Sequence, residues 1–155
     1  MSVEPIKHVV VGTDFSDGSD RALTVAIRYA KLLGAAIDLV HVYPMPAPGI
    51  TSPIPGVVPM PPPTPEVLES LQGSLAERAA RARDAGLECL TASAQGSAAD
   101  EIAAYADRAA AELIVVGTHG RTGLRRVLLG SVAEQVLHKT RRPVLVVPPA
   151  GERAP

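Results

Sequence analysis

The chain has one cysteine, Cys89, no tryptophan and 3% aromatic residues. A lone cysteine excludes an internal disulfide and a cysteine-cluster metal site. Within a strand-like run it reads as a buried, inert thiol rather than a redox centre. So few rings leave no stacking platform for single-stranded nucleic acid. Neither sign of charge is in excess: the net charge is −1 and the pI is near 6.4. No global field therefore draws the chain to nucleic acid, and any basic patch is local. No apolar segment approaches membrane-spanning length, and no charged flank precedes a long apolar run near residue 1. We therefore expect a soluble, cytoplasmic protein with no nucleic-acid or membrane partner. His8, His41, His119 and His138 lack metal-ligand spacing, so no metal ligand is assigned, and His8 and His41 are expected to be strand residues bonded locally. The Gly-x-x-x-x-Gly-Lys-Ser/Thr signature is missing, as is Gly-x-Gly-x-x-Gly after the first strand. No nucleophile–base pair stands out, and no catalytic residue is assigned.

What the chain does have is an alternation. Residues 1–150 read as one domain, with a proline-rich insert loop over 44–65 and a polar tail at 151–155. Residues 8–12 are an apolar run ending in glycine, as in a strand buried on both faces of a parallel sheet. The turn Thr13-Asp14-Phe15-Ser16 leads to a helix over 17–33, capped by Ser16 or Ser19 and stopped by Gly34. A strand over 37–43 follows, which makes a right-handed βαβ unit. Ten of the fifteen prolines then fall between 44 and 65, where neither helix nor central strand can persist. Helical period returns over 66–85, with Leu68, Leu71, Leu75, Ala79 and Ala82 inward. Glu66, Glu69, Glu77, Arg81 and Asp84 form a solvated face in which Glu77 and Arg81 have the favourable spacing of four. Residues 87–94 read as a less apolar third strand nearer an edge. Ser97 and Asp100 suggest a capping box for a helix through 110, with Ile102, Ala106 and Ala109 inward.

The stretch 112–147 organises the rest. It consists of an apolar strand (113–116), a glycine-punctuated basic loop (117–130), a helix opening at Ser131 and a final apolar strand (144–147). Gly117, Gly120 and Gly130 allow positive φ and close approach of an anion to main-chain N–H groups. The helix after Gly130 presents unpaired N–H groups to the same spot. His119, Arg121, Arg125 and Arg126 lie in the loop with no acidic residue between Gly117 and Gly130, which makes it electropositive. A plainer reading stays open: the glycines punctuate a strand and a helix, and Ser131 with Glu134 forms a capping box. Five strands alternating with four helices argue a doubly wound parallel α/β sheet.

The strand at 113, the glycines at 117, 120 and 130, Ser131 and the closing Pro-Val-Leu-Val-Val run resemble the universal stress protein family, in particular its ATP-binding branch. Gly12-Thr13-Asp14-Phe15-Ser16 and His41-Val42 add to the resemblance, which covers nearly the whole chain apart from the insert and the tail. It implies a five-stranded, adenine-nucleotide alpha-hydrolase-like sheet of order 3-2-1-4-5, with strands one and four side by side at the switch point. Their loops, Thr13-Asp14 and 117–131, would then converge on one crevice. The resemblance further implies that Asp14 and the backbone near Val42 frame adenine, with Val116 flanking the base and Gly117 near the ribose. Gly120, Gly130, Ser131 and Val132 would hold the phosphates, with His119 and Arg121 neutralising a triphosphate. Asp14 also reads as a local acceptor for N–H groups at the first helix's start. Gly12 stands where relatives often carry proline.

The expected function is an ATP-binding regulatory module of the stress response, with Mg²⁺ accompanying ATP and at most slow hydrolysis. A nucleotide-free homodimeric interaction module, or an ATPase or adenylyl-transferring enzyme, are the alternatives. A homodimer through Val144–Val147 is expected from the short apolar last strand and from the resemblance.

Overall fold

In a computed structural model, residues 4–45, 61–118 and 129–150 are described. Their order is β1 (His8–Thr13), α1 (Asp17–Leu33), β2 (Ala36–Tyr43), α2 (Pro65–Asp84), β3 (Cys89–Gln95), α3 (Ala98–Arg108), β4 (Leu113–Gly117), α4 (Ser131–Lys139) and β5 (Val144–Val147). The strands form one sheet of order β3-β2-β1-β4-β5, and every pairing is parallel. The doubly wound α/β fold expected from the alternation is thus present, with β1 and β4 adjacent and β3 and β5 at the edges.

Residue period decides the layers. Along β1, Val9 and Val11 point to one side with Ile37, Leu39 and Val115, where α1 contributes Leu23 and Ala26 and α2 contributes Leu75 and Ala79. Val10, Val40, Ile114 and Val116 point to the other side, against Ile102 and Ala106 of α3 and Ala133 and Val136 of α4. A strand covered on both faces must be apolar at every position, which is why residues 9–11 are all valine. The edge strand β3 alternates with solvent instead, and Leu90 is exposed. Cys89 is buried, and burial pushes its thiol up while Arg83 pulls the other way, which keeps it a poor nucleophile.

Several boundaries and pairings differ from the sequence reading. The third strand begins at Cys89 because Leu87 is taken by a turn, its N–H donating to Ala82. Helix α3 ends at Arg108, with Ala109 as C-cap and Ala110 at φ 51°. Ser97 occupies the N-cap of α3 without a side-chain cap hydrogen bond, and the Asp100 carboxylate takes the Lys139 ammonium. Arg81 does not settle on Glu77 but reaches α1, bonding the Thr24 hydroxyl and lying 3.9 Å from Asp20. The charged side of α2 is therefore partly an interhelical seam rather than a solvated face. Ser16 and Gly34 cap α1 as expected, the glycine at φ 67°.

One buried polar group has no counterpart in the sequence reading. Asp38 of β2 is 1% exposed, and its carboxylate meets His8 Nε2 at 3.1 Å and the Tyr105 hydroxyl at 3.0 Å. The other His8 nitrogen lies 3.2 Å from the Ala109 carbonyl. Local bonding of His8 and His41 was expected, and both are so engaged. Among the described residues, no helix is long and apolar enough to cross a membrane.

Candidate functional site

The crevice lies where the carboxyl ends of β1 and β4 meet, so its geometry is set by what each chain segment does on leaving the sheet. After β1 the chain makes a short turn bonded to itself. Thr13 Oγ1 accepts the Phe15 N–H at 3.1 Å, and the Asp14 carboxylate accepts the Ser16 N–H at 3.0 Å and the Ser16 hydroxyl. Ser16 then caps α1 by accepting the Ser19 N–H, while the buried Ser19 hydroxyl donates to Ser16 O at 3.0 Å and lies 3.1 Å from Thr13 Oγ1. Asp14 therefore accepts an N–H at the start of the helix, as its local reading expects, and it also lines the crevice. Its burial raises the carboxyl, but hydrogen bonds from Ser16 and Ser19 outweigh this and hold it below the ordinary carboxylate value of 3.8.

After β4 the chain passes Gly117, where a side chain would not fit. A Cβ there would lie 2.9 Å from the Gly18 carbonyl oxygen and 3.0 Å from its carbon, both in the first turn of α1. This glycine is required by the close approach of β4 to α1, not by a left-handed backbone. Positive-φ glycines among the described residues are 34, 86 and 96. Thr118 N–H then donates to Val147 O at 3.0 Å, and Thr118 O accepts the Gly130 N–H, which joins the end of β4 to the start of α4. Gly130, at φ −72°, is itself the N-cap of α4, and Ser131 is the first helical residue rather than the cap. The Ser131–Glu134 capping box does not form.

A cleft of about 500 Å³, counted to its open mouth, sits between these turns. Of the expected site residues, Thr13, Asp14, Val42, Val116, Gly117 and Val132 line it together. Gly130 and Ser131 lie just before Val132 at the start of α4 and are not part of its lining. His119, Gly120 and Arg121 lie outside the described residues. Gly12, Ser19, Ala98 and Ile102 also line the cleft and were not assigned to it from sequence. Ile102 carried a usable signal: it belongs to the apolar stripe of the helix preceding β4, and a 3-2-1-4-5 sheet sets that helix over β2 and β1, where Ile102 reaches the Gly12 end of β1.

The walls divide by chemistry. Val42, Ile102, Val116 and Val132 form an apolar slot suited to a flat ring system, while Thr13, Asp14 and Ser19 give it a polar end. Among the described residues there is no group of three or more His, Cys, Asp or Glu side chains able to hold a metal ion. A divalent cation here would be held chiefly by the ligand's own oxygens and water, as magnesium commonly is.

Comparison with known proteins gives this arrangement its family. The family model described as "Universal stress protein family" matches residues 5–148. A universal stress protein of Methanocaldococcus jannaschii is 38% identical over 142 residues, covering 91% of this chain and 81% of that protein. A universal stress protein of Bacillus subtilis is 33% identical over 147 residues, covering 90% of this chain and 97% of its own. Among solved structures, a universal stress protein in complex with cAMP superposes with a TM-score of 0.69 at 28% identity, covering 95% of this chain and all of that one. A universal stress protein from Archaeoglobus fulgidus in complex with dAMP shares the fold, with a TM-score of 0.66 at 24% identity over 93% of this chain and 99% of its own. The chain belongs to the universal stress protein family.

Proposed function

We propose that this universal stress protein binds an adenine nucleotide, foremost ATP accompanied by Mg²⁺, and acts in the cytoplasm as a nucleotide-dependent regulatory module with at most slow hydrolysis. The observation that carries the reading is the cleft at the β1–β4 switch point, lined both by apolar side chains and by the polar Thr13–Asp14 turn. In this reading Asp14 and the Val42 backbone frame the base, Val116 flanks it, and Gly117 lies at the ribose. Gly120, Gly130, Ser131 and Val132 hold phosphates, with His119 and Arg121 as counter-charges. The relative crystallised with cAMP supports an adenine ligand for a cleft of this fold.

Holding rather than turnover is supported by the state of Asp14. Among the described residues it is the one carboxylate lining the cleft, and its hydrogen bonds keep it a weaker base than an ordinary carboxylate. Efficient general bases titrate near the working pH instead. Calorimetric titration with ATP and with AMP, each with and without Mg²⁺, tests the proposal. Saturable binding is expected, and its absence at millimolar ligand would favour a nucleotide-free interaction module. Rapid multi-turnover phosphate release would favour an ATPase or adenylyl-transferring enzyme.

We further propose that two copies pair through β5. It is an edge strand whose Val144, Leu145 and Val146 are half-buried in one copy, so unpaired N–H and C=O groups run beside an apolar surface. Sedimentation at micromolar concentration should give twice the chain mass; a monomer would refute it.

A further inference from the structure

Phe15 follows Asp14 in the β1–α1 turn, and its φ of 64° puts a bulky L residue in the left-handed region. Such a conformation persists where the surroundings over-determine it. Here they do. Its N–H is held by Thr13 Oγ1 at 3.1 Å, and its carbonyl accepts Arg78 Nη2 at 3.2 Å. The Phe15 ring stacks on His41 with centroids 4.3 Å apart, and the Arg78 guanidinium lies 4.9 Å from its centroid. His41 in turn donates from Nδ1 to Thr13 O at 2.8 Å. Arg78 is fixed by its fork on Asp20, at 2.6 and 3.1 Å, and is largely buried at 16% side-chain exposure.

Arg78 belongs to α2 and does not line the cleft. It nevertheless ties α2 to the first turn of α1 and to the one residue whose backbone sets how the Asp14 turn leaves β1. We infer that Arg78 is a positioning residue: by clamping Phe15 in its left-handed conformation, it aims the Thr13–Asp14 turn into the cleft and so sets nucleotide affinity from outside the site. The effect on affinity rests on the adenine-nucleotide reading above; the effect on the turn does not.

Arg78→Met keeps the apolar stem and removes the fork. ATP binding by calorimetry should weaken about tenfold, the scale of losing one strained, pre-set backbone conformation. In ligand-free protein the amide resonances of Phe15, Ser16 and His41 should move. Arg81→Met, which removes the exposed neighbour at 3.9 Å from Asp20, should change neither readout. The decisive arm is rescue. Phe15→Gly in the Arg78→Met background supplies a residue that adopts positive φ without support, and affinity should return to within about threefold of wild type. Unchanged affinity with unmoved amides in Arg78→Met would overturn the inference, as would a loss that Phe15→Gly does not recover. If wild-type protein takes up no ATP, the nucleotide reading fails, and the amides alone decide. Displaced resonances would uphold the clamp, and unmoved ones would refute it.

Discussion

Replacing Gly117 with alanine would place a methyl carbon 2.9 Å from the Gly18 carbonyl oxygen and 3.0 Å from the carbonyl carbon. Neither neighbour is the loose end of a side chain. Both belong to the first turn of α1, where the Ser16 cap, the Ser19 hydroxyl and the Arg78–Asp20 pair already fix the backbone. The strain can be relieved only by moving that turn or the end of β4, and overpacking of this kind costs about 1–3 kcal/mol. For a chain of this size, that corresponds to a melting temperature lower by roughly 3–10 °C. Gly12 supplies the comparison, since it lines the same cleft and its added methyl would meet Ile102 Cδ1 at 2.8 Å and Val116 Cγ1 at 3.3 Å. Ile102 can swing its terminal methyl aside, so Gly12→Ala should cost less than about 1 kcal/mol while narrowing the slot. Thermal unfolding followed by circular dichroism on both variants measures the difference. A Gly117→Ala protein melting within a degree of wild type, or below which Gly12→Ala falls, would refute the close-approach argument.

Four further outcomes follow from the same geometry. Gly73 lies inside α2 with open space where its Cβ would be, so Gly73→Ala should stabilise the protein by about 0.8 kcal/mol in urea unfolding. Asp38→Ala leaves His8 Nε2 and the Tyr105 hydroxyl without their buried acceptor and should cost about 3 kcal/mol in the same assay. Burial first, then the hydrogen bond to Asp38 and its charge, push the Tyr105 phenol up to about 12, so one tyrosine should ionise late in an ultraviolet titration. Because that folded value lies above the unfolded 10, its stabilising contribution is complete below pH 10 and is lost as pH rises towards 12. Asp14 has the opposite sign: its folded value is depressed, so its contribution is present above the ordinary 3.8 and is lost as pH falls below it. Asp14→Asn should therefore flatten the acid limb of a stability profile measured between pH 5 and 2.5 on the scale of that window.

The sheet was legible because its pattern admits one explanation. Four consecutive apolar residues at 113–116 and three valines at 9–11 suit only strands covered on both faces, and glycines 34 and 86 mark helix ends by their left-handed backbones. The cleft was legible in part, through Thr13, Asp14, Val42, Val116, Gly117 and Val132, because the family resemblance implied these residues and the sheet brings them to one place. The packing demand on Gly117 was not visible, since a glycine needed for contact with a helix about a hundred residues earlier looks the same in sequence as one needed for a turn. Arg78 was overlooked for a related reason. On α2 it sits among charged neighbours that suggest solvent, and only the packing of α2 against α1 turns its guanidinium onto Phe15 and Asp20. Asp38 was invisible because its partners, His8 and Tyr105, are 30 and 67 residues away.

The anchoring of α2 also bears on why the chain between β2 and α2 can carry a proline-rich insert. The insert joins β2, which ends at Tyr43, to α2, which starts at Pro65 behind a Thr64 cap. Each end is fixed without it. β2 is paired with β1 as far as His41 and with β3 as far as Tyr43, and Tyr43 O also accepts the Gly96 N–H at 3.0 Å. α2 is seated by Leu75, Ala79 and Ala82 in the core and by Arg78 and Arg81 on α1. Closing a longer loop between two fixed points costs only about 0.6 kcal/mol per doubling of its length. Length and composition can therefore vary across 44–65 without disturbing Val42 on one side or the Arg78 clamp on the other. The stretch most tolerant of insertion thus follows directly on the strand that carries Val42, and what α2 gives the first turn of α1 enters through Arg78, thirteen residues into the helix.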